Sequence, residues 1–270
     1  MPSNRSKPQP RWSKKTDQVV RYVALRCRPG FQSELGHWIE SSPRFGTLIT
    51  SNQDKVRKKL NASDDENSRL DVRAELLVVY LMLGDRRFEV SLETYGARRL
   101  GPDLTLTFRA NQRFNLEVTR LRATDHTGSA AGEPVSGVPA VSSGDPGAAV
   151  ARLAHVISGK LRQLPGDLPN GLLIAVRGLT LTEDTLAAAV RLLKLHADRK
   201  DQAFLARGGF KDARGLYAQY VHLSGIFLLD EATTPAHAIF SPNREARHPL
   251  AREIVTAAMQ CLTAAGGTRC

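Results

Sequence analysis

Two short alternations of apolar and polar residues, joined by four residues, constrain this chain more than any other feature in it. Leu104, Leu106 and Phe108 alternate with Thr105 and Thr107, and Phe114, Leu116 and Val118 alternate with Asn115, Glu117 and Thr119. A period of two is the mark of a strand whose two faces meet different surroundings. Arg109-Ala110-Asn111-Gln112 between them is a hairpin-length connection, so the segments Leu104–Phe108 and Arg113–Leu121 are expected to pair. Asp103 follows a Gly101-Pro102 break and falls on the Thr105 face. Pairing would gather Asp103, Glu117 and Thr119 on the face turned away from the core.

Carboxylates held on adjacent strands can hold Mg²⁺, with the carbonyl of Val118, water and phosphate oxygens completing the shell. A cation so held polarises a phosphate and lowers the pKa of an attacking water. The same residues also admit a plainer reading, in which Asp103 opens a strand and Glu117 is solvated.

The flanks extend the pattern. Asp64-Asp65-Glu66-Asn67-Ser68 reads as a helix entry, because capping groups and carboxylates favour a helix N-terminus. Arg69 to Leu83 is apolar almost all round, the pattern of a helix buried on most faces, and Gly84-Asp85 ends it. Arg87–Leu92 reads as the first of three strands. Residues 123–147 are Gly, Pro, Ala, Ser and Val without periodicity, a flexible insertion inside the domain. A helix is expected from about Ala148 to Leu164, with Val150, Leu153, Ile157 and Leu161 at helical spacing, and then a buried strand over Gly171–Val176.

Thr182–Lys200 reads as a second amphipathic helix with Thr182 as its cap. Val221–Leu229 and Ala236–Phe240 read as late strands and Pro249–Leu262 as a closing helix. Residues 19–66 mix short apolar runs with Gly and Pro and take no assignment. The domain reading is therefore a basic arm over 1–18, a single α/β domain over 19–262 and a tail over 263–270.

Composition bounds the partners. The 270 residues carry 38 Lys and Arg against 27 Asp and Glu, a formal charge of +11. Such a balance suits a polyanion, since cations that neutralise phosphates supply most non-specific nucleic-acid affinity. It also suits a protein that uses charge only for solubility. Three widely spaced cysteines, Cys27, Cys261 and Cys270, form no CxxC pair, which argues against a thiolate zinc site and for a reducing compartment. No run of 18 apolar residues and no apolar segment after the basic start occurs, so a soluble, cytoplasmic protein without a membrane role is expected. GxxxxGK(S/T), GxSxG and HExxH are all missing, and the seven histidines show no paired spacing.

The order helix, three strands, helix, strand, with Gly101-Pro102-Asp103 on the second strand and Glu117-Val118-Thr119 on the third, resembles the PD-(D/E)XK nuclease superfamily. The likeness covers roughly Ser68 to Val176. It implies a restriction endonuclease-like core, with a basic N-terminal arm and a C-terminal helical extension added to it. It also implies a nuclease, an endonuclease hydrolysing phosphodiester bonds of DNA with Mg²⁺ or Mn²⁺. Asp103, Glu117 and the Val118 carbonyl would then be metal ligands.

The family often carries an acidic residue on the preceding helix, which Glu75 matches amid Val72, Val78 and Val79. It also often keeps polar residues on the following helix, which Lys160 and Gln163 match. Thr119 stands where the family pattern has lysine. Lys160 is expected to supply that charge and to orient water or stabilise the transition state. Arg120 and Arg122 could reach a backbone phosphate, and the polar turn Phe240–Pro249 reads as a connecting loop. The competing function is a catalytically inactive protein of the same fold, acting as a nucleic-acid-binding or assembly module.

Overall fold

A computed structural model describes residues 12–92, 101–121, 146–177, 181–231 and 236–264. The insertion expected at 123–147 falls almost wholly outside them, as do Arg122, the 1–11 portion of the arm and the tail beyond Ala264. By packing, the chain divides into two compact units, Met1–Gly84 and Asp85–Cys270.

The first unit is helical: α1 (Lys14–Ala24), α2 (Pro29–Ser41), α3 (Pro43–Ser51), α4 (Gln53–Asn61) and α5 (Glu66–Leu83). α1 begins inside the stretch expected to be an arm, because Ser13 caps it by accepting from the Thr16 N–H. Pro29 and Pro43 each stand in the first turn of a helix, where a missing N–H costs nothing. That explains why a segment rich in apparent breakers is mostly helix. Trp38 organises the core, stacked on Tyr80 with ring centroids 5.6 Å apart and edge-on to Phe45 at 6.0 Å. Asp65 caps α5 by accepting from the Asn67 and Ser68 N–H groups, as the acidic entry predicts.

The second unit is mixed α/β, built on a six-stranded sheet in the order β1-β2-β3-β4-β5-β6. Its strands are β1 (Phe88–Leu92), β2 (Leu104–Phe108), β3 (Gln112–Arg120), β4 (Asn170–Val176), β5 (Leu223–Asp230) and β6 (His237–Pro242). β1, β2 and β3 pair antiparallel, β4 and β5 continue parallel to β3, and β6 returns antiparallel. α6 (Pro146–Lys160), with a tight turn over Leu161–Gln163, crosses from β3 to β4. α7 (Glu183–Asp198), α8 (Gln202–Arg207) and α9 (Ala213–Tyr220) lie between β4 and β5 in the chain, and α10 (Arg252–Thr263) follows β6. Thr182 caps α7 in a reciprocal pair with Thr185.

The helices α6 to α9 pack on one sheet face, around Ile157, Leu161, Leu172, Ile174, Ile226 and Leu228. The opposite face carries Phe88, Leu106, Phe108, Phe114 and Leu116, whose rings and branches meet across the register. The sheet departs from regular backbone in the β2–β3 turn and within β5. Arg109 and Ala110 both adopt positive φ, 49° and 65°, in the β2–β3 turn. Ser224 is the extra residue of a bulge where β5 meets Asn170 and Gly171 of β4. Among the described residues no helix is long and apolar enough to cross a membrane.

Candidate functional site

β3 sets the site. Its register with β2 pairs Leu104 with Leu116 and Thr105 with Asn115, so the next step outward sets Asp103 opposite Glu117. Alternation then places both acids on one sheet face, as the sequence predicts. β3 also pairs with β4, and α6 covers the face that Glu117 shares with Leu121. That face is no solvated surface. Glu117 is only 2% exposed, which corrects the expectation that it lies away from the core and removes the reading of a solvated carboxylate.

All but one of the carboxylate and ammonium contacts here can be traced. Asp103 Oδ2 accepts from the Val118 N–H at 3.0 Å, closing the β2–β3 ladder one step beyond its last backbone pair. In an extended strand a residue's N–H and C=O project to the same side, so the Val118 carbonyl also points to this edge. Lys160, the last residue of α6, donates to Glu117 Oε1 at 2.7 Å and to Gln163 Oε1 at 3.3 Å. Glu117 Oε2 is buried with no hydrogen-bond partner.

The Glu117 carboxyl is pushed up to about 7. Burial is the main cause and the negative charge of Asp103 adds to it, while the Lys160 ammonium opposes both. A buried carboxylate with one unserved oxygen is costly. The arrangement can lower that cost by taking a proton or a cation. The donor set suits a hard divalent cation: two carboxylates, one with an orphaned oxygen, and a backbone carbonyl turned to the same edge. A cation bound there would displace the proton from Glu117. Among the described residues no three His, Cys, Asp or Glu side chains gather as a ready ligand set.

Of the expected residues, the fold brings together Asp103, Glu117, Lys160, Gln163 and the Val118 backbone. Thr119 follows two residues after Glu117 on the same face, half-buried, and Arg120 is half-buried on the other. Glu75 lies in the first unit, where α5 presents it to Lys59 of α4 at 2.6 Å. Its carboxylate is therefore served by an ammonium within that unit. The turn after β6 is a connection: Asn243 donates to the Tyr220 and Leu223 carbonyls, and the Ser224 hydroxyl donates to the His248 carbonyl.

Sequence reading missed a second polar group on the same face. Thr105 donates to Asn115 at 3.0 Å, Asn115 donates to Asn170 at 3.0 Å, and Asn170 donates to the carbonyls of Pro165, Leu168 and His222. Asn115 and Asn170 are fully buried. The one available signal was Asn115 itself, an amide in an apolar strand at the parity of Glu117. Compared with protein-family models, with curated proteins and with solved structures, the chain matches none.

Proposed function

We propose that this protein is a metal-dependent nuclease that hydrolyses phosphodiester bonds of DNA, built on a restriction endonuclease-like core of the PD-(D/E)XK kind. The observation that carries the reading is the buried Glu117, set opposite Asp103 and bonded to Lys160, with one carboxylate oxygen unserved. The chain order α5, β1, β2, β3, α6, β4, with three antiparallel strands followed by a parallel one, supports it.

In this reading Asp103, Glu117 and the Val118 carbonyl hold Mg²⁺ or Mn²⁺. The bound cation supplies Lewis-acid polarisation of the phosphate and a more acidic water. Asp103 is fixed by the Val118 N–H, so its carboxylate presents the same geometry at every encounter. Lys160 takes the place that Thr119 cannot fill. Its ammonium is held by Glu117 and Gln163, is partly open to solvent, and adds positive charge where negative charge develops on the phosphate. Glu75, which the family resemblance would add as a further ligand or water-orienting group, is bonded to Lys59 within the first unit.

Nicking of supercoiled plasmid tests the reading. Cleavage is expected with Mg²⁺ or Mn²⁺, to cease in EDTA, and to be lost in Asp103→Asn and Glu117→Gln. Asp103→Asn that cuts like the wild type would sink it. One observation favours the competing reading, an inactive nucleic-acid-binding or assembly module. The Glu117–Lys160 bond at 2.7 Å satisfies both charges without a cation, as a purely structural pair would. That module would bind DNA equally with and without metal and cut under neither condition.

A further inference from the structure

The first unit carries a concentration of cations that the site on β3 does not use. α1 turns Val19, Val20 and Val23 inward and exposes Lys14, Lys15 and Arg21, and Arg26 is exposed in the turn that follows it. α4 buries Val56 and Leu60 and exposes Lys55, Arg57 and Lys58. The two helices are joined side by side through Tyr22. Its hydroxyl donates to Asp54 at 2.6 Å, and the Arg57 guanidinium lies 4.5 Å from its ring centroid. Steps of three and four residues line Lys15, Gln18 and Tyr22 along α1, with Arg26 in the turn just beyond it, and Asp54, Arg57 and Lys58 along α4. The acids beside these cations are engaged, Asp17 with Arg21, Asp54 with Tyr22 and Asp64 with Arg26 at 4.0 Å.

We propose that the joined outer faces of α1 and α4 dock the phosphate backbone of duplex DNA, a surface that rests on the nucleic-acid reading above. α1 is about 16 Å long, and a duplex presents a charge about every 1.7 Å of its axis, so the face spans several phosphates. Its chemistry favours a rigid polyanion over a bilayer. The valine stripe of α1 is turned inward, and the exposed apolar side chains are Leu25 and a Tyr22 already stacked under Arg57. Binding of this kind is sequence-independent and salt-sensitive.

Fluorescence anisotropy with a short duplex oligonucleotide, measured in EDTA over a range of salt, tests the surface apart from any cleavage. The quadruple variant Lys15→Gln, Arg26→Gln, Arg57→Gln, Lys58→Gln is expected to bind about 100-fold more weakly near 0.1 M salt. Its log–log salt slope should fall by about 2. A second variant, Arg191→Gln, Arg199→Gln, Lys211→Gln, Arg214→Gln, removes the same formal charge from exposed positions of the second unit. It is expected to stay within about 3-fold of the wild type.

Both variants should keep the wild-type melting temperature, since these side chains are exposed. Equal losses in both would mean that net charge alone acts, and would overturn the surface. So would an unchanged first variant, leaving the nuclease reading untouched. A wild type that ignores the duplex but sediments with phosphatidylserine vesicles would also overturn it. Conversely, a first variant that behaves as expected beside an Asp103→Asn that still cuts would leave the surface standing and remove the catalytic reading.

Discussion

Asn115 and Glu117 stand two residues apart on β3, on one face, both buried, and their surroundings differ in kind. Asn115 sits in a relay from the Thr105 hydroxyl to Asn170, whose amide ends on three carbonyls. Each donor along that relay meets an acceptor, and buried amides so served hold strands in register. Glu117 has one oxygen on Lys160 and one on nothing, and a carboxyl pushed up to about 7. A fold that satisfies one polar residue so thoroughly leaves the other unsettled. The contrast sets a polar group whose bonds are all made against one with an oxygen left over, the feature on which the proposed cation site rests.

The largest effect is expected on turnover. Glu117→Gln should lower metal-dependent nicking by at least about 1,000-fold, or about 4 kcal/mol, whereas Asn115→Ala should cut normally below its melting temperature. Equal losses in the two would erase the contrast.

Denaturant unfolding should reverse the ranking. Asn115→Ala strands the Thr105 hydroxyl and the Asn170 acceptor, and is expected to cost about 3 kcal/mol. A change below 1 kcal/mol would show that the relay is dispensable.

The pH dependence of stability sharpens the other half. The Glu117 carboxyl titrates near 4.5 when unfolded and at about 7 when folded, so the native state holds its proton more tightly. Its contribution is complete below about 4.5 and is lost as pH rises through 7, on the order of 3 kcal/mol in all. Melting in EDTA should therefore show a stability loss between pH 5 and pH 8 that Glu117→Gln flattens. Mg²⁺ should restore more stability at pH 8 than at pH 5, because the cation replaces the proton. A wild type and a Glu117→Gln variant with parallel pH profiles would contradict this assignment.

The smallest effect concerns the turn that brings the two strands together. Ala110 has a φ of 65°, which a glycine adopts freely. Ala110→Gly is expected to stabilise the protein by about 1 kcal/mol, read as a higher melting temperature with unchanged cleavage.

The strands and the shared face of Asp103 and Glu117 were legible because alternation and a short connection are local signals, although the connection is three residues, Gln112 pairing with Phe108, and not four. α5, α6 and α7 were legible for the same reason, with errors of a few residues at their ends. The depth of Glu117 was not legible. Period two says which residues share a face, and only the placement of the crossover helix α6 decides whether that face is wet. α1 to α4 escaped because Pro29 and Pro43, read as interruptions, stand in the first turns of helices. Asn170 escaped because its partners, Pro165, Leu168 and His222, lie in connections that no periodicity marks. Lys160 was suggested by the family resemblance, and its bond to Glu117 spans 43 residues of chain that no local pattern bridges.

The bond from the Val118 N–H to Asp103 has a consequence for how the site can be watched. This amide lies past the last backbone pair of β2, and its hydrogen bond is to one carboxylate. Drawing Asp103 toward a cation, or replacing it, would alter how often that amide meets water. If Asp103 and Glu117 hold a cation as proposed, hydrogen–deuterium exchange at Val118 would report its binding at a single backbone position and without a substrate.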